Sequence, residues 1–185
     1  MSIEDTYKKY TQIEHVLARP GMYIGDITTC INDLWILNEN NEMIFKSVQY
    51  NPGVYKIFDE IITNASDECQ RNPNIKNIRV NIDKDTISIY NDGSGIPIEK
   101  HKEHNIYVVE LIFGNLLSSS NYDDSKKRTT GGLNGLGAKL TNIYSTEFIV
   151  ETVSNGQKYI QTFRNNLSVI EPPIITKSKS KEYKC

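Results

Sequence analysis

Three short polar breaks constrain the fold of this chain more than any other feature. Residues 38–42 (Asn-Glu-Asn-Asn-Glu), 83–85 (Asp-Lys-Asp) and 154–157 (Ser-Asn-Gly-Gln) each separate two runs of strand-forming residues. Breaks this short join antiparallel neighbours, because a parallel pair needs a crossover of about a dozen residues or more. The flanking runs are 34–37 with 43–50, 77–82 with 86–90, and 147–153 with 158–163. In the second pair Ile78, Val80 and Ile82 alternate with polar residues, as do Ile87 and Ile89, the pattern of half-buried strands. Helical patterns are interspersed with these hairpins, which excludes a regular parallel βαβ series. The expected class is α+β: a mixed, mostly antiparallel sheet with helices packed on one face.

The helices are predicted at 12–19, stopped by Pro20 and Gly21, at 54–70, at 106–113 and at 137–144. The second is the longest, with Ile57, Ile61, Ala65 and Cys69 recurring every four residues. Between it and the last helix lies a polar stretch, 114–133, rich in Ser, Asn, Asp, Lys and Gly. Such a long loop inside a compact domain is usually functional or mobile. The organisation expected is an N-terminal arm (1–11), one domain (12–171) and a tail (172–185) that begins at Pro172-Pro173 and reads as the start of a strand cut short.

Composition narrows the function classes. With 185 residues, 38% hydrophobic and 24% charged, the chain is long enough to bury a core. No stretch approaches the roughly 18 apolar residues of a membrane helix, and the first ten residues carry no apolar signal region, so no membrane partner is expected. Cys30, Cys69 and Cys185 are odd in number and far apart, which suits a reduced, intracellular protein without structural zinc. The net charge is −2, and a domain that held DNA by itself would carry a basic face. Only Lys126, Lys127 and Arg128, and Lys177, Lys179, Lys181 and Lys184, form local basic runs.

Three segments carry chemistry. In FDEIITNASDE (58–68), Glu60, Asn64 and Asp67 fall on one helical face. A carboxylate there can polarise a water while a neighbouring amide oxygen holds a hard cation such as Mg²⁺; the same triplet also suits a solvated polar face. NDGSGIP (91–97) follows a strand, and its glycines permit a sharp turn and close ligand approach. The Asn91 amide both donates and accepts, as the edge of adenine requires, although Asn-Asp-Gly is also ordinary turn composition. TGGLNGLGAKL (130–140) leads glycines into a helix. Backbone amides at a helix start suit phosphate, and Lys139 adds charge; a hinge would have the same composition.

The order and wording of the three segments together resemble the GHKL family of ATPases, as its asparagine, DxGxG-like and GxxGxG boxes. Within that family QIEHVLARPGMYIGD (12–26), YKIFDEIITNASDE (55–68), LIFGNLLSSSNYDD (111–124) and GGLNGLGAKLTNIYSTEF (131–148) are similar to the ATPase domains of type II DNA topoisomerases, and the last two to those of eukaryotes and large viruses. The resemblance spans about residues 7–163. It implies the Bergerat two-layer α/β sandwich with a mobile ATP lid.

The resemblance also implies roles. Glu60 would be the general base that activates water against the γ-phosphate, and Asn64 would hold Mg²⁺. Asn91 would contact adenine. Ser119, Ser120 and Asn121 would line the nucleoside and phosphate side of the lid. Gly132, Leu133, Asn134, Gly135 and Leu136, continuing through Gly137, Ala138 and Lys139, would wrap the phosphates, chiefly by backbone amides. Tyr7 would reach the partner's nucleotide across a homodimer. Two departures stand out. Leu133 occupies a position where eukaryotic members usually carry arginine, which removes one charge contact to phosphate. The chain also stops at Cys185, before the transducer domain that supplies a lysine to the γ-phosphate. The implied function is ATP binding and hydrolysis in an enzyme that passes one DNA duplex through another, with double-stranded DNA held by parts not present here, in a nucleus or a viral replication site. The alternative is a fragment that binds ATP without hydrolysing it. A chaperone or kinase of the same family, or an interaction domain that has lost its ligand, fits the quoted strings less well.

Overall fold

The computed structural model describes residue 3 and residues 7–116 and 135–178. The chain opens with α1 (Gln12–Ala18), whose start is fixed by a capping box: Glu14 N donates to Thr11 Oγ1 at 3.3 Å and Thr11 N to Glu14 Oε2 at 2.7 Å. Pro20, predicted to stop this helix, also opens the next turn, α2 (Pro20–Tyr23). That follows from proline's fitness for a first helical position, where no N–H is needed.

The first hairpin pairs β1 (Cys30–Leu37) with β2 (Met43–Tyr50), placing Trp35 opposite Phe45. β1 begins four residues before the predicted 34–37. The added residues Asn32 and Asp33, of types common in turns, find partners across the ladder: Asn32 Nδ2 donates to Tyr50 Oη at 3.4 Å and Ser47 Oγ to Asp33 Oδ1 at 2.5 Å. The turn itself is an Asx arrangement, with Asn38 Oδ1 accepting from Asn40 N and Glu42 N, each at 2.9 Å.

The long helix α3 (Pro52–Arg71) is capped by Asn51, whose Oδ1 accepts from Val54 N at 3.1 Å, with Pro52 in the first turn. Its expected start at 54 missed this cap. The second hairpin, β3 (Ile78–Ile82) with β4 (Ile87–Asn91), is in the register Ile78 opposite Asn91. Two short helices follow, α4 (Val108–Gly114) and α5 (Gly137–Ile143). α4 begins two residues later than predicted.

The last sheet is built on β6 (Gln157–Arg164). It pairs with β5 (Glu147–Ser154) along one edge, and with β7 (Val169–Ile170) and β8 (Ile174–Lys177) on the other. Residues 174–177, assigned to a tail, thus belong to this sheet. The β5–β6 turn uses Asn155 (φ 50°) and Gly156 (φ 74°), the left-handed pair that a two-residue hairpin loop favours. Every described ladder is antiparallel, and the described strands form three sheets.

The core lies where α1, α4 and α5 cover the inner face of β5 and β6. Val16, Val109, Leu140, Ile143, Val150, Tyr159, Phe163 and Leu167 are buried together there. Polar ties hold the layers in place. Tyr159 Oη donates to Gln161 Oε1 (2.6 Å), and Gln161 Nε2 donates to Glu110 Oε2 of α4 (2.8 Å) and to Glu171 O (3.0 Å). Burial raises the Tyr159 phenol far above its ordinary value. Three successive non-glycine residues, Asn165, Asn166 and Leu167, take left-handed conformations, which costs steric energy. The conformation is held by Asn166 Nδ2 donating to Ile143 O at 2.7 Å and by burial of Leu167.

Candidate functional site

α3 packs against both α5 and β4, so the three chemistry-bearing segments converge on one helix. Thr141 Oγ1 of α5 donates to Ile57 O of α3 at 2.9 Å, one turn from Glu60. At the start of α5, Gly137 lies directly against the Glu60 carboxylate: a Cβ at that position would collide with Oε2. The close approach explains why this position has no side chain. The other oxygen of Glu60, Oε1, accepts from Lys56 Nζ at 2.6 Å. Hydrogen bonding to Glu60 raises the Lys56 ammonium above its ordinary value.

Glu60, Asn64 and Asp67 share a helical face as expected, but not one environment. The Glu60 side chain is 25% exposed, Asn64 is exposed, and Asp67 is buried. The face therefore turns inward at its C-terminal end.

Asn91 is buried as the last residue of β4. The turn after it is braced by Asp92, whose Oδ1 accepts from Lys76 N (2.9 Å) and Asn77 N (2.8 Å) and whose Oδ2 accepts from Asn77 Nδ2 (2.7 Å). These bonds, led by the Asn77 side chain, hold the Asp92 carboxyl below its usual value. Gly93 sits close to Ile75 and to the Asn91 amide. Gly95 (φ +69°) fits against the Val153 carbonyl of β5, where any side chain would clash, and Ile96 N donates to Thr152 Oγ1 at 2.9 Å. Asp92 and Thr152 are positioning residues that sequence reasoning missed. The only signal for Thr152 was its inward place in the β5 alternation.

Gly135, Leu136, Gly137, Ala138 and Lys139 form the described part of the glycine loop. Gly135 has φ +62° and Leu136 precedes α5 without a side-chain cap. The Lys139 ammonium donates to the Gly135 carbonyl within the same loop. Burial pushes it down to about 8. Tyr7 is exposed, its N–H bonded to Ile3 O at 2.9 Å. Ser119, Ser120, Asn121, Gly132, Leu133 and Asn134 lie outside the described residues.

Residues 50–169 match the family model described as histidine kinase-, DNA gyrase B-, and HSP90-like ATPase. The chain belongs to this ATPase family, and its α+β fold of antiparallel sheets and helices is that of the family. Within it the chain is similar to the ATPase region of DNA topoisomerase 2. It is 53% identical to DNA topoisomerase 2 of Pisum sativum, over 98% of this chain and 13% of that protein. Against the Saccharomyces cerevisiae enzyme it is 53% identical over 97% of this chain and 13% of the relative. The solved ATPase region of Saccharomyces cerevisiae topoisomerase II superposes with a TM-score of 0.94 at 52% identity, over 98% of this chain and 49% of that one. The ATPase and transducer domains of DNA topoisomerase II from Balamuthia mandrillaris give 0.95 at 48% identity, over 100% and 49%. The Thermus thermophilus gyrase B ATPase domain shares the fold, with a TM-score of 0.66 at 23% identity.

Proposed function

We propose that this chain binds ATP with Mg²⁺ and hydrolyses it, as the nucleotide-binding part of a type II DNA topoisomerase. The observation that carries the reading is the Glu60 carboxylate held against Gly137, at the junction of the catalytic helix and the glycine loop. Glu60 takes a proton from a water whose oxygen forms the new bond to the γ-phosphorus; the bond to the β,γ-bridging oxygen breaks and ADP leaves. The backbone amides at Gly135, Gly137 and Ala138 bind phosphate oxygens, and Asn91 reads the adenine edge. Asn64 suits Mg²⁺: its amide oxygen is a hard ligand, and its exposed side chain makes no hydrogen bond among the described residues. Bound there, the ion would neutralise phosphate charge.

The activity proposed for the whole protein is ATP-driven passage of one duplex through another by a homodimer, with Tyr7 reaching the partner's nucleotide, in a eukaryotic nucleus or viral replication site. The net charge of −2 assigns most DNA contact to other parts of that protein. The test is calorimetric titration of a non-hydrolysable ATP analogue with and without Mg²⁺, followed by steady-state hydrolysis. Magnesium-dependent binding is expected; absence of any binding overturns the reading. Binding without turnover in the full-length protein would remove hydrolysis from it.

A further inference from the structure

We propose that the loop between β4 and α4 carries a binding site for a divalent transition metal of the zinc type, formed by His101, Glu103 and His104. Each offers one ligand atom, and the three atoms lie within 4.8 Å of one another. Ligands on a tetrahedral zinc stand about 3.3 Å apart, given bond lengths near 2.0–2.1 Å. The remaining gap is within the reach of side-chain rotation, because Glu103 and His104 are both exposed.

The backbone beneath the three residues is already shaped. Lys100 and Tyr107 form an isolated antiparallel bridge. Above it His101 N donates to Ile106 O and Asn105 N to His101 O, each at 2.8 Å, with Asn105 in the left-handed region (φ 54°). This tight loop keeps positions 101, 103 and 104 close enough for their ligand atoms to meet. The two imidazoles are stacked, with centroids 4.8 Å apart and planes at 21°. Of the two lysines beside the ligands in sequence, Lys102 stands between His101 and Glu103, and Lys100 lies over the Tyr107 ring at 5.6 Å.

A second observation concerns His101 alone. Its Nδ1 is shut off from solvent and has no hydrogen-bond partner among the described residues. Buried ring nitrogens normally have one. Coordination of a cation at Nδ1 would satisfy it directly. Two imidazole nitrogens and a carboxylate are the donor set that selects zinc, nickel or copper over magnesium or calcium. The site is separate from the residues assigned to ATP and its Mg²⁺, and does not rest on that assignment.

The chain has three histidines, which supplies an internal control. His15 Nδ1 is bonded to Tyr23 Oη at 2.9 Å, away from this loop in sequence. The experiment has two arms on the full chain. Zn²⁺ titrated calorimetrically should bind with one-to-one stoichiometry, and His104→Ala or Glu103→Gln should weaken it at least tenfold, while the circular dichroism of both variants stays native. Substoichiometric Ni²⁺ should broaden the imidazole proton resonances of His101 and His104 and leave those of His15 sharp. Zn²⁺ affinity unchanged in His104→Ala, as binding at a cysteine would give, overturns the proposal. So does uniform broadening of all three histidines, or no binding at micromolar metal.

Discussion

Lys56 Nζ stands 2.6 Å from Glu60 Oε1, one helical turn before it on α3, so the carboxylate assigned to catalysis is already ion-paired. The Lys56 side chain is 43% exposed, and a pair so open to solvent contributes less than about 1 kcal/mol to stability. Its raised ammonium value means that this small contribution is present at neutral pH and is lost only as pH rises above 10.5, through the folded-state value. Glu60→Gln should therefore leave the melting temperature almost unchanged at pH 7 and spare nucleotide binding. It should lower hydrolysis by about 10²–10⁴-fold, the usual contribution of a general base. Steady-state turnover beside a thermal melt separates the two effects, and loss of binding in this variant would contradict the assignment.

Gly137→Ala tests the other side of Glu60. The added methyl has no room beside Oε2, so either the carboxylate or the start of α5 must move. Overpacking of this kind costs about 1–3 kcal/mol. The expected result is a measurable fall in denaturant midpoint together with loss of hydrolysis. Native stability and turnover in this variant would show that the contact is not maintained in solution.

Lys139 makes a prediction about pH. Burial lowers its ammonium to about 8 from 10.5, so between these values the unfolded chain binds more protons than the folded one. Stability attributable to this group then rises as pH increases from 8 to 10.5, and is flat below 8. Urea unfolding of the native chain and of Lys139→Met across pH 7–10 should give a difference that grows over that window. Parallel curves would refute the burial of a titrating ammonium.

The Tyr159–Gln161–Glu110 network is separate from the proposed chemistry. Gln161→Leu would leave the Tyr159 hydroxyl and one Glu110 oxygen without their partner in a buried layer, at a cost of about 2–4 kcal/mol. The denaturant midpoint should drop accordingly, with ATP affinity of the folded protein retained. A change under about 0.5 kcal/mol would mean that water replaces the amide.

Much of the fold was legible because local signals agreed with it. The four-residue apolar recurrence of α3 and the Asn155-Gly156 turn each specify their element without outside help. β7 and β8 were not legible: two and four residues long and flanking Pro172-Pro173, they exist by pairing with β6. The site divides in the same way. Glu60 and Gly137 were found from their segments, yet their contact is a product of helix packing that no spacing shows. Asp67 was grouped with Glu60 and Asn64 from helical angle alone, and burial separates it. Asp92 looked like turn composition, and its role appears only where it bridges to Lys76 and Asn77.

β6 has hydrogen-bonded neighbours on both edges, and its inward residues Tyr159, Gln161 and Phe163 are almost completely shut from solvent. Among the described residues the β1–β2 hairpin has a single ladder, and it leaves Ile31, Trp35 and Phe45 mostly exposed. Amide protons of β6 should then exchange with solvent only when the whole domain opens, while those of β1 and β2 escape through opening of the hairpin alone. Resistance to opening should thus differ between the two ends of the chain, low in the first hairpin and high in the last sheet.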